Sequence, residues 1–324
     1  MLPATFLGDA RFRRVANGRW IILLLVVPLG FSLWALAGCG STSNLKWISL
    51  HSTGTVGSGV QATPIPLRMG VAAVVSPAET VKTYQALGEY LSERLGRQVE
   101  IVQRQTYAEI NNLVKTGEVD FALVCNGGYV AGNRDFGMEL LAVPQIEGST
   151  SDQSLIVVLS SSQVRNLTDL RGRTFAFSDP LSFTGCLAPR YLLGRIGERP
   201  EQFFRRVIFT FSHDNSLQAL LDRVVDGAAV DSVVYQQFLL RYPEHQGKFR
   251  IIARSPAAGN PPVVVNPQLE PGLKTQLKEA FLSMHKDKNG QKALGAMLVE
   301  RLVPAKDSDY DPIRLMEKEM NQGK

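Results

Sequence analysis

From Leu67 onward the sequence alternates short apolar runs with amphipathic stretches, and this alternation limits the fold more than any other feature. Leu67–Val75, Gln98–Arg104, Val119–Val124, Leu140–Pro144 and Ser154–Ser160 read as strands. Between them, Ala78–Leu95 reads as a helix with Val81, Tyr84, Leu87, Leu91 and Leu95 on one face, closed by Gly96. Tyr107–Lys115 reads as a second helix. A further series follows: a helical turn at Leu167–Leu170, strand Thr174–Phe177, helix Gly185–Ile196, strand Val207–Phe211 and helix Ser216–Val225. Strand Ala228–Val230 then leads to helix Ser232–Arg241, capped by Ser232. Strand Phe249–Ala253, a Pro-rich return, strand Val263–Val265 and helix Pro271–Lys286 complete the pattern. Such a series predicts α/β units with mainly parallel sheets. Ligand is then expected at the carboxyl ends of strands, at the loops beginning near Ser76, Cys125, Ser178, Ser212 and Asp231.

The chain before Leu67 follows other rules. Trp20–Leu36 is an uncharged apolar stretch preceded by four arginines and followed by Leu36-Ala37-Gly38-Cys39. Basic, apolar and small-residue regions in that order make an export signal. A plain membrane anchor is the alternative, but the terminal LAGC resembles a bacterial lipobox. Cys39 is then the lipidated first residue after cleavage, and the protein is held at a bacterial membrane, in the periplasm or on the cell surface. Residues 40–66 are rich in Ser, Thr and Gly, a flexible tether. The signal also accounts for most of the formal charge of +5, since residues 1–38 carry four arginines against Asp9. The remainder is nearly neutral. No basic stripe with interleaved aromatics suggests nucleic acid, no Cys/His cluster has metal-ligand spacing, and no cofactor motif stands out.

The segment Ser178-Asp179-Pro180-Leu181-Ser182-Phe183-Thr184-Gly185 joins a strand to a helix. Hydroxyls and backbone N–H groups at a helix start suit a phosphate-like anion; they equally suit an ordinary Ser/Thr cap. His213 follows the next strand and has the same two readings, donor to an anion or capping residue. Asp231 ends a strand, where it either binds a ligand ammonium or caps the next helix. Tyr129 either walls a pocket or sits in a core. Cys125 and Cys186 follow candidate ligand loops and are expected as free thiols, with a disulfide as the alternative. No catalytic triad, nucleophile elbow or carboxylate pair emerges, so a non-enzyme is expected.

The lipobox together with VDFALVCNGGYV, FGMELLAVPQ, LTDLRGRTFAFSDPLSFTG, FTFSHDNSLQAL, VDGAAVDSVVY, PPVVVNP and MHKDKNGQKAL…SDYDPI resembles the phosphate/phosphite/phosphonate substrate-binding proteins of ABC importers, over about Leu67 to Glu317. The resemblance implies a type II periplasmic-binding-protein fold: two α/β lobes joined by hinge strands near Ser149–Ser154 and Ser255–Pro261, with the ligand cleft between. The corresponding division is signal 1–38, tether 39–66, lobe 1 from 67–150 plus 256–324, and lobe 2 from 151–255. It implies that Ser182, Thr184 and His213 hold the anion, with the backbone of Phe183 and Gly185. The first-lobe aromatic usual in that family is replaced by Cys125-Asn126-Gly127, and Tyr129 is a candidate substitute. Asp231 is the candidate partner of an amino group, and Ser76 lies at a neighbouring strand end. The implied partners are a small oxyanion, an ABC permease and ATPase, and the membrane through Cys39, with the protein a monomer. A ligand-sensing accessory lipoprotein that signals to a membrane kinase or receptor is the alternative.

Overall fold

In the computed structural model, residues 65–322 are described; Cys39, the export segment and nearly all of the tether lie outside them. The chain forms β1 (Leu67–Val71), α1 (Pro77–Leu95), β2 (Val99–Gln103), α2 (Tyr107–Thr116), β3 (Phe121–Leu123), α3 (Asn126–Phe136) and β4 (Glu139–Gln145). Next come β5 (Ser151–Asp152), β6 (Ser154–Leu159), β7 (Thr174–Phe177), α4 (Ala188–Gly194), α5 (Pro200–Phe203), β8 (Arg206–Phe209), α6 (His213–Leu221), β9 (Gly227–Asp231), α7 (Ser232–Arg241) and β10 (Phe249–Arg254). The last elements are β11 (Ala258–Gly259), β12 (Val263–Val265), α8 (Pro271–Ser283), α9 (Lys288–Met297), β13 (Arg301–Val303) and α10 (Asp311–Gln322).

Two sheets carry the architecture. One has the order β13-β4-β12-β3-β1-β2, the other β10-β6-β9-β7-β8. The sheets are mixed, where mainly parallel ones were expected. Pairs β1–β2, β1–β3, β7–β8 and β7–β9 are parallel, the βαβ units read from the sequence. The strands that run toward or return from the other sheet reverse direction: β12 is antiparallel to β3 and β4, and β6 is antiparallel to β9 and β10. The short pair β5–β11 is antiparallel as well, with Ala258 opposite Asp152, and it falls inside both expected hinge segments.

Each sheet is buried between helices, because a strand apolar on both faces must be covered on both. Leu67, Met69, Phe121, Val265, Leu87, Leu91 and Phe281 fill one side of the first sheet. Phe175, Phe177, Phe203, Phe204 and Leu193 fill one side of the second. The α1 stripe is narrower than its spacing suggests. Leu87 and Leu91 are fully buried, but Val81 is 59% exposed. It lies in the first turns of α1, where the buried face is instead Glu79, Thr80 and Thr83.

The helix start after β7 is irregular. The expected helix Gly185–Ile196 instead begins as a π-turn over Phe183–Leu187 and tightens to α4 at Ala188. Pro189 lacks an N–H and cannot bond back into that turn. Helix α7 is capped by Asp231 rather than Ser232: the Asp231 carboxylate accepts from Val233 and Val234 N–H.

Candidate functional site

Strands β7, β8 and β9 end side by side, so the residues just beyond them converge. After β7, Ser182 Oγ accepts the Gly185 N–H at 2.9 Å and fixes the π-turn. The Phe183 and Thr184 N–H groups then begin a helix with no preceding turn to bond to. Ser154 at the start of β6 donates its hydroxyl to the Thr184 carbonyl. Thr184 Oγ1 donates to Asp231 Oδ2 at 3.2 Å and lies 3.5 Å from His213 Nε2.

Beyond β8, Phe211 adopts a left-handed backbone at φ 57°. Its N–H donates to the Ser178 carbonyl at 2.8 Å. A non-glycine residue held there is locally strained, and such strain persists only where its surroundings over-determine it. The result aims His213 inward at the first position of α6. The Asp231 N–H donates to His213 Nδ1 at 3.2 Å. Nδ1 is therefore an acceptor, and the ring proton sits on Nε2. Burial lowers the His213 pKa below the usual imidazole range, against the raising influence of Asp231, Asp214 and the Ala229 carbonyl beside the ring. The ring is thus a neutral donor facing Thr184.

Gly185 permits this crowding. A Cβ there would stand 1.8 Å from Ser178 Oγ and 2.9 Å from His213 Cε1. The role differs from the one implied by the resemblance, since the Gly185 N–H is already committed to Ser182. Ser178 Oγ is itself buried with no partner among the described residues.

Lobe 1 supplies an aromatic from an unexpected place. Tyr107, first residue of α2, is buried, and its hydroxyl is without a partner among the described residues. Burial pushes its pKa well up, and the nearby Cys125, Asp179 and Asp231 push the same way. Its own N–H donates to Asp179 Oδ2 at 3.1 Å, tying α2 to the loop after β7. Tyr107 was read only as a helix start. A buried hydroxyl with no partner is visible only once the fold is formed.

The other candidates are placed differently. Tyr129 points its hydroxyl at Asp307, 2.6 Å away, and its ring packs on Tyr310, so it is not brought to the group. Cys125 caps α3, its sulfur accepting the Gly128 N–H at 3.1 Å, and lies 3.7 Å from the Leu181 carbonyl of the other lobe. Asn126 reaches the hinge, donating to Asp152 and to the Gly259 carbonyl. Gly127 lies so close to the 181–183 loop that a Cβ would meet Leu181 O at 2.2 Å. Ser76 joins the lobes through its N–H, which donates to Asp214 at 2.9 Å. Cys125 and Cys186 are both free and buried. Burial drives the Cys125 thiol far above its ordinary range and the Cys186 thiol up to about 11. Thiols held protonated in this way are poor nucleophiles.

Three carboxyls border the group. Asp231 has both oxygens engaged, as above. Asp179 accepts from the Leu181 and Tyr107 N–H groups, and burial raises its pKa. Asp152 is raised well above the carboxylate range, first by burial and then by the neighbouring Asp231. Its Oδ2 is without a partner among the described residues. The converging donors are uncharged: two helix-start N–H groups, the imidazole Nε2–H and the hydroxyls of Ser178, Ser182 and Tyr107, while the Thr184 hydroxyl is committed to Asp231. Among the described residues no cluster of three or more His, Cys, Asp or Glu side chains could hold a metal ion. No helix there is long and apolar enough to cross a membrane.

Residues 69–310 match the family profile described as ABC transporter, phosphonate, periplasmic substrate-binding protein. The chain is 23% identical over 251 residues to the phosphonates-binding periplasmic protein of Escherichia coli, covering 75% of this chain and 74% of that one. In fold it resembles the binding component of an ABC phosphonate transporter from Pseudomonas aeruginosa, with a TM-score of 0.75 at 22% identity, covering 80% of this chain and 87% of the other. It also resembles a Prochlorococcus marinus protein solved with methylphosphonate, with a TM-score of 0.71 at 19% identity, covering 79% and 98%.

Proposed function

This chain belongs to the family of periplasmic substrate-binding proteins of phosphonate ABC transporters, and on that premise we propose that it captures a tetrahedral phosphorus oxyanion of the phosphate, phosphite or phosphonate class. The anion sits against the Phe183 and Thr184 N–H groups. The Ser182 hydroxyl and His213 Nε2–H donate to it from lobe 2, Thr184 takes part through its backbone N–H, and Tyr107 donates from lobe 1. The family is one of binding proteins, and the work done is capture, closure and delivery to a permease and its ATPase. Residues 67–150 with 256–324 form one lobe and 151–255 the other. The protein acts as a monomer, carried on a lipid at Cys39 outside the cytoplasm.

One observation carries this reading. His213 Nδ1 accepts the Asp231 N–H beside a π-turn whose first N–H groups are open, while among the described residues two buried hydroxyls, Tyr107 and Ser178, are without partners. An unmade bond on a buried polar group is costly, and a tetrahedral oxyanion offers several acceptors at once. Calorimetry against phosphate, phosphite and methylphosphonate tests the reading. Saturable binding of at least one is expected, weakened by about 1–3 kcal/mol in Ser182→Ala or His213→Ala. A folded protein that binds none of the three, or binds them equally well in both variants, contradicts it.

A further inference from the structure

Two carboxyls of lobe 2, Asp179 and Asp214, stand in the same loops as the anion donors, and donating to an anion gives them no role. Asp179 precedes Ser182, and Asp214 directly follows His213. A like charge beside an anion site opposes binding, so neither carboxyl serves the anion directly. Both reach across the cleft to a helix start of lobe 1.

The two bridges differ in detail. At α1, the N-cap Ser76 makes no side-chain cap bond. Its N–H donates to Asp214 Oδ1 at 2.9 Å. In return the His213 N–H, spare at the start of α6, donates to the Val74 carbonyl at 3.1 Å. Residues 213–214 and 74–76 thus exchange two hydrogen bonds between the lobes. At α2, Thr106 and Glu109 satisfy each other's N–H groups in a capping box. The Tyr107 N–H is left over, and Asp179 Oδ2 accepts it at 3.1 Å. Asp179 Oδ1 accepts the Leu181 N–H at 2.8 Å, and the Asp179 carbonyl accepts the Ser182 N–H at 2.9 Å. One buried residue therefore folds the loop that presents Ser182 and holds the residue whose hydroxyl comes from lobe 1. Helix starts favour such acceptors, because their N–H groups are exposed and the dipole attracts negative charge.

We propose that Asp179 and Asp214 are positioning residues for capture: they cap α2 and α1 across the cleft and set lobe 1 against the anion donors of lobe 2, and Asp179 places the Tyr107 hydroxyl beside the anion. This rests on the oxyanion reading above. Neither carboxyl touches the anion, and both act through the closed arrangement of the lobes. Losing either one therefore weakens capture, although it removes a negative charge from beside the site.

Asp179→Asn isolates the cross-lobe bond. Its amide oxygen can still accept the Leu181 N–H, since asparagine favours that local turn, but its NH2 then meets the Tyr107 N–H as donor against donor. Calorimetry on the full-length protein with phosphate, phosphite and methylphosphonate tests the inference, with thermal melting to confirm each fold. Affinity for an anion that the native protein binds is expected to fall about tenfold in Asp179→Asn, the scale of one lost bond to a charged group. Tyr107→Phe keeps the backbone bond and removes the hydroxyl. On that background Asp179→Asn should cost no more than about threefold, because the hydroxyl it places is already gone. Asp214→Ala, on the other bridge, should likewise weaken binding, and it decides the matter if Asp179→Asn does not fold. Unchanged or tighter binding in the folded variants, or an Asp179→Asn loss that persists in full beside Tyr107→Phe, overturns the inference and leaves anion capture standing. A folded native protein that binds none of the three anions overturns both.

Discussion

Gly185 stands where three chain segments meet, and the site leaves no space for a side chain there. Ser178 and His213 both press against its Cα, and the Ser178 N–H donates to its carbonyl at 3.1 Å. Gly185→Ala must push Ser178 away and displace the imidazole. Overpacking of this sort costs about 1–3 kcal/mol of stability. The binding loss should be larger, tenfold or more, because His213 Nε2 and Thr184 Oγ1 move apart. Melting and anion titration of the same variant give both numbers, and unchanged binding would show that Gly185 does not set the site. At this scale the sequence was partly legible. That Ser182, Thr184 and His213 lie near one another was readable because each follows a strand end and strand ends converge; their anion role was implied only by the family resemblance, since ordinary helix caps fit the same residues. Tyr107 was not, because only burial makes its hydroxyl an unmet donor. Tyr129 sits on the helix that follows β3, and the turn of α3 carries it toward Asp307 and Tyr310 instead.

At the scale of elements, the short hinge strand β5 holds the most unusual group, the buried Asp152. It accepts from Asn126 at 2.8 Å and faces Asp231. Its pKa is higher in the folded chain than in the unfolded one, so the folded state binds the proton more tightly. Stability must then fall as pH rises above about 4, the carboxyl's unfolded range. An amide needs no proton from solvent and can still donate toward Asp231. Asp152→Asn should therefore melt higher than the native chain near about pH 8, by ~2–4 °C per kcal/mol recovered, with little difference near about pH 4. The same melting difference at both pH values would contradict the assignment. Element boundaries were well foreseen where apolar periodicity governs them, as at Thr174–Phe177 and Val263–Val265. They were missed where a tertiary contact decides. The π-turn at Phe183 answers to the Ser182 cap, and the short pair β5–β11 exists only because two distant segments meet.

For the whole molecule, the lobes are clasped at α1, where Glu79, Arg241 and Tyr242 share a pocket with Asp214, the residue after His213. Glu79 on α1 is buried and takes the Arg241 guanidinium at 2.9 Å, the Tyr242 hydroxyl at 2.8 Å and Lys82 at 2.7 Å. Arg241 also donates to Thr83 and to the Ala296 carbonyl. Burial by itself would raise the Glu79 pKa, but the bonds from Lys82 and Tyr242 and the Arg241 charge together bring it below the ordinary range. The clasp is therefore ionised at neutral pH. Arg241→Ala should shift the ligand-free protein toward an open form, with a larger radius in small-angle scattering. Anion affinity should weaken by the fraction of closed molecules lost. An unchanged radius and affinity would show the clasp to be incidental. The sequence conveyed the α/β layering but concealed this clasp. Val81, expected in the core, is instead exposed beside it.

The central claim is that uncharged donors at the ends of β7, β8 and β9 hold an oxyanion. A crystal structure of the protein grown with methylphosphonate tests it most directly. The account predicts phosphonate oxygens within hydrogen-bonding distance of the Phe183 and Thr184 N–H groups and of His213 Nε2, with Tyr107 Oη closing from the other lobe. An anion seated instead among Arg190, Arg195 and Arg199 in the groove beside α4, with the His213 group untouched, would contradict it.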